Sequence, residues 1–86
     1  MSILRYIQKV EYLHRLIEKK ATGNRDEFAS KVGMSKSMLS EYIQEMKELG
    51  FPIRYNRQKR CYYYEYKGIM VKSLFVYEKE ENAVSK

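Results

Sequence analysis

One cysteine stands in the chain, Cys61, so no internal disulfide can form and no zinc site can be built on thiolates. Histidine is equally scarce. His14 is alone among apolar helix-forming residues, and a metal centre needs three or four converging donors, so a structural or surface role is expected for it. Of the four glycines none falls in a phosphate-cradling loop, and neither a Ser/His/Asp constellation nor an HExxH motif occurs. With no candidate nucleophile, acid–base pair or metal cluster, the chain is not expected to be an enzyme or to hold a cofactor. Apolar runs are short. None approaches the ~18 residues a membrane span needs, and Arg5, Gln8 and Lys9 interrupt the region where a signal peptide would carry its apolar segment. Cytoplasmic residence and no membrane partner are the resulting expectations. Acidic residues are in the minority, 11 against 17 Lys and Arg, and the net charge of +6 suits a partner that is nucleic acid or another anionic surface. Eighty-six residues make one domain, with no room for a second, small-molecule effector domain.

What is present is patterned. Ile3, Ile7, Val10, Leu13, Leu16 and Ile17, with Tyr6 beside them, recur at steps of three and four and predict a helix from Ile3 to about Ala21. Gly23 suits a left-handed helix cap. Asn24 with Glu27 three residues on makes a capping box for a second, short helix that buries Phe28, Ala29 and Val32 and stops at Gly33. Ser35 then caps a third helix, Lys36 to Leu49, whose inward face is Leu39, Tyr42, Ile43, Met46 and Leu49. Gly50 and Pro52 end it. A short helix, a tight turn containing glycine and a capped longer helix form a helix-turn-helix pattern.

The period then changes. Ile53–Tyr55 and Cys61–Tyr66 predict two strands of a hairpin around the polar turn 56–60. Ile69 to Tyr77 is a third apolar run, read as a third strand, although a run of that length also fits a helix. The expected architecture is therefore α+β: three helices, a C-terminal hairpin and a third strand within 1–77, followed by a polar flexible tail at 78–86.

In a helix-turn-helix the second helix of the pair lies in the major groove and its N-terminal half faces base edges. The outward residues here are Lys36, Ser37, Ser40, Glu41, Gln44 and Lys47, and Ser35 with the open N–H groups of the helix start suits a phosphate. Against this, two lysines face three glutamates along the helix, a net charge of −1. The hairpin is more basic: Arg54, Arg57, Lys59 and Arg60 fall within seven residues with no acid between them, fit to lie along a phosphate backbone or to form a solvated turn. Tyr62, Tyr64 and Tyr66 share one strand face. They either pack on the helices or offer a stacking platform for single strands.

The stretch ATGNRDEFASKVGMSKSMLSEYIQEMKELGFPIRYNRQKRCYYY resembles the small winged helix-turn-helix domains of bacterial transcription regulators, notably short stand-alone ones in the Bacteroidetes. The likeness runs from about Ile3 to Tyr66. It implies a three-helix core with a β-wing binding duplex DNA, with Ser35, Lys36, Ser37, Ser40 and Glu41 in the recognition-helix role and Arg54, Arg57, Lys59 and Arg60 in the wing role. Ser40 and Glu41 stand where such domains often carry a basic or aromatic residue. Since one small module offers few contacts, a homodimer through the first helix or the third strand is compatible with specific binding. Two other readings stay open: a protein-interaction module that uses the acidic helix, and a single-strand binder that uses the tyrosines.

Overall fold

The computed structural model describes residues 2–71. Over these residues the chain is a small α+β protein with helices α1 (Ile3–Glu18), α2 (Arg25–Val32) and α3 (Lys36–Glu48), followed by strands β1 (Ile53–Asn56) and β2 (Cys61–Tyr64). The strands form one antiparallel hairpin in which Ile53 pairs with Tyr64, Arg54 with Tyr63 and Tyr55 with Tyr62.

Local chemistry sets the boundaries. Ser2, Asn24 and Ser35 each accept a hydrogen bond from a backbone N–H of the first turn they precede, and Glu27 returns a carboxylate to the Asn24 N–H. All three helices end in the same pair of Schellman hydrogen bonds: Ala21 N–H to Leu16 O with Lys20 N–H to Ile17 O, Met34 N–H to Ala29 O with Gly33 N–H to Ser30 O, and Phe51 N–H to Met46 O with Gly50 N–H to Lys47 O. The left-handed residue is Gly33 after α2 and Gly50 after α3, as expected, but after α1 it is Lys20, with φ of 57°. The first helix thus stops at Glu18 and not near Ala21. Gly23 serves the next loop instead, where a Cβ would overlap the Glu27 side chain of the capping box.

The core joins Val10, Leu13 and Ile17 of α1 to Phe28 and Ala29 of α2, Leu39, Tyr42, Ile43 and Met46 of α3, and Ile53 of β1. Each large side chain so buried contributes on the order of 1.5–3 kcal/mol. The hairpin is fastened at a second point. Thr22, in the α1–α2 loop and fully buried, accepts the Tyr62 N–H at 2.9 Å and donates to Gly23 O at 2.8 Å. One threonine hydroxyl thereby occupies the free edge of β2, where the strand would otherwise bury an unpaired donor.

Four expectations change. Ile3 is 65% exposed because nothing among the described residues lies over the first turn of α1, and Leu49, expected on the inward face, is the C-cap of α3 and equally open to solvent. The second strand ends at Tyr64, where Glu65 N–H turns back to Pro52 O at 2.8 Å. Ile69–Val71 is irregular, without strand pairing, and the remainder of the third apolar run and the tail at 78–86 lie outside the described residues. No helix among the described residues is long and apolar enough to cross a membrane.

Candidate functional site

The first turn of α3 is an open, capped helix start. Ser35 Oγ accepts the Met38 N–H at 3.1 Å, so this hydroxyl is committed to the cap. Lys36, Ser37, Ser40, Glu41, Gln44 and Lys47 are all exposed, as the helical spacing predicts. They do not form one cluster: eleven residues of helix separate Lys36 from Lys47, a rise of about 16 Å. Lys47 instead borders an open cleft of about 600 Å³ against the hairpin, which Arg54, Tyr63 and Glu65 also line.

The hairpin cations divide in two. Arg54 is spoken for at the base, where its Nε and Nη2 donate to the two carboxylate oxygens of Glu65 at 3.3 Å each. The Glu65 hydrogen bonds and its charge raise the guanidinium pKa further above its ordinary value. Arg57, Lys59 and Arg60 occupy the four-residue tip and are exposed, and among the described residues no acidic side chain forms an ion pair with them. The tip has a defined shape. Asn56 Oδ1 accepts the Lys59 N–H at 2.9 Å, and Arg60 takes a left-handed φ of 53° that turns the chain into β2.

The start of α2 brings these two regions together. Asp26 forms an ion pair with Lys36 of α3 at 3.2 Å. Its neighbour Arg25 lies near enough to the hairpin for its positive charge to act on the Tyr62 phenol, opposing the burial that raises that group's pKa. One helical turn therefore stands between the opening of α3 and the hairpin. Arg25 is an exposed cation at that junction, and sequence spacing gave no sign of it, because its place depends on contacts between α2 and β2. Met38 was likewise passed over. It is an apolar side chain 43% exposed in the first turn of α3.

The acidic half of α3 turns to another neighbour. Glu45 accepts a 2.6 Å hydrogen bond from the Tyr6 hydroxyl of α1, whose ring stacks on Tyr42 at 5.3 Å. That bond, with burial and the carboxylate charge, pushes the Tyr6 phenol up to about 12. Gln44 donates to Glu48 at 3.5 Å. Glu45 is thus a tie between helices, and the net charge of α3 misrepresents its first turn.

Tyr62 and Tyr64 pack against the core. Tyr62 sits against Phe28, and the Tyr64 hydroxyl bonds His14 Nδ1 at 2.8 Å while the rings of Tyr64, His14 and Phe51 form a cluster of three. Burial raises both phenols, so both are neutral at physiological pH. Both are partly buried against neighbouring rings, whereas Tyr66 is exposed. His14 is accounted for by these contacts and by Glu18 at 3.6 Å. No group of three or more His, Cys, Asp or Glu side chains among the described residues could hold a metal ion.

The chain matches no protein-family model, no curated protein and no solved structure.

Proposed function

We propose that the chain is a duplex-DNA-binding protein of the winged helix-turn-helix kind, with α3 entering the major groove and the hairpin as a wing on the phosphate backbone. The observation that carries this is the start of α2, where Asp26 pairs with Lys36 at the exposed opening of α3 and the cation Arg25 acts on Tyr62 of the hairpin whose exposed tip holds Arg57, Lys59 and Arg60. Phosphate neutralisation by such cations supplies most non-specific affinity. Base reading falls to Lys36, Ser37 and Ser40, with Met38 available to meet a thymine methyl. Glu41, Gln44 and Lys47 belong to the later turns, which leave the groove first, and Gln44 is bonded to Glu48. Arg54 has a weaker claim than the tip residues, since binding a phosphate would compete with Glu65. The activity is occupancy of a site, as a transcriptional regulator or an accessory factor of a mobile element or phage. A second copy on a neighbouring half-site would add the contacts that one module lacks.

Fluorescence anisotropy with random duplex and single-stranded DNA tests this reading. Binding with Kd on the order of 10⁻⁶–10⁻⁴ M, sensitive to salt and stronger for duplex, is expected. Absence of binding even at low salt would contradict it and favour a protein partner on the exposed glutamates of α3. Preference for single strands would contradict it as well.

A further inference from the structure

An apolar groove of about 610 Å³ lies at the C-terminal end of α3, with no residue of that helix's first turn in its lining. Ile3 and Ile7 of α1, Leu49 and Phe51 after α3, and Tyr66 and Ile69 after β2 line it. Ile69 is 92% exposed, and Leu4, beside Ile3 on α1, is 64% exposed. A continuous apolar surface of this kind is rarely left open to water on a monomeric protein, so an occupant is called for.

The chain supplies one. Val71, the last described residue, itself lines the groove. Two polar residues follow, Lys72 and Ser73, and then Leu74-Phe75-Val76-Tyr77, the most apolar segment of residues 72–86. Three extended residues reach about 10 Å, enough to carry Leu74 from the position of Val71 back over the groove. We propose that Leu74–Tyr77 of the same chain fills this groove, with Phe75 against Ile3 and Ile7. A short tether sets an effective concentration of about 1 mM, so the attached segment outcompetes a second copy present at micromolar concentration. The proposal concerns the face away from the hairpin tip and stands or falls independently of DNA binding.

The direct test is isotope-edited NMR on the full chain, using a mixture of labelled and unlabelled protein to separate contacts within a chain from contacts between chains. Intrachain contacts from the Phe75 ring to the Ile3 and Ile7 methyls are the expected result, in a particle that light scattering finds monomeric. Contacts between chains would overturn the proposal in favour of a second copy. Their complete absence would overturn it outright. A Leu74→Ser, Phe75→Ser double variant provides a second readout: Tm falls by about 10 °C and fluorescence of a hydrophobic dye rises several-fold. Unchanged Tm and dye binding would contradict the proposal, whereas a variant that fails to fold leaves the NMR result to decide.

Discussion

The two ends of α3 are built for different neighbours. At its start Ser35 caps the helix, Lys36 leans to Asp26, and Ser37, Met38 and Ser40 face solvent. In its last turns Glu45 holds Tyr6 of α1, Glu48 accepts from Gln44, and Leu49 opens onto the apolar groove. A helix whose summed charge is −1 can therefore present a hydroxyl-rich first turn, its one lysine paired with Asp26, on one surface while its glutamates serve another. Net charge per element is a poor guide to an interface when the element is longer than the interface.

Four perturbations test this division. Leu39→Ala has the largest expected effect. Leu39 is fully buried beneath the first turns of α3, and its truncation costs about 2–5 kcal/mol, a large part of the roughly 5–15 kcal/mol such a domain commands. Urea unfolding should show both ends of the helix lost in one transition, because a common core supports them. Thr22→Val comes next at about 1–3 kcal/mol, since the Tyr62 N–H is left without its acceptor. Hydrogen exchange should become faster at the Tyr62 amide than at the α1 amides; uniform acceleration would mean that Thr22 does not fasten the hairpin.

Tyr6→Phe has a smaller effect with a distinctive pH dependence. Because the folded phenol titrates near 12 and the free one near 10.0, the protonated phenol is the form that folding favours. Its contribution is complete below pH 10 and is lost as pH rises from 10 towards 12. The variant should therefore lose stability less steeply over that range. Burial also raises Tyr62 and Tyr64, so the slope shrinks without vanishing. An unaltered slope would remove Glu45 as the tie between α1 and α3. The smallest effect is expected from Glu41→Gln with Glu48→Gln. If the acidic turns stand off the DNA, the salt dependence of duplex binding stays as in the parent, and a steeper dependence would put those turns against phosphate.

Much of this was legible from local chemistry. Asn24, Ser35, Gly33 and Gly50 announce the ends of α2 and α3, and the alternation through Ile53–Tyr64 announces the hairpin. The end of α1 was not legible, since Lys20 takes a left-handed conformation that lysine seldom adopts and the sequence pointed to Gly23 instead. Contacts between distant residues were hidden for a different reason. The bond from Tyr62 to Thr22 spans 40 residues, and Arg54 looked unpaired among residues 54–60 until the hairpin register brought Glu65 across to it. The candidate site was readable as a list of exposed polar positions on α3. Its organisation around Arg25 and Asp26 was not, because that depends on how α2 packs against both α3 and β2.

The central claim is that the hairpin tip is a phosphate clamp, and the salt dependence of a triple variant tests it most directly. Replacing Arg57, Lys59 and Arg60 with Ala leaves the core untouched, so the fold and its Tm should persist. The slope of log K against log salt for duplex DNA should shrink by about 0.9 for each lost contact, or roughly 2.7 in all. A slope unchanged from the parent, in a folded variant, would contradict the account.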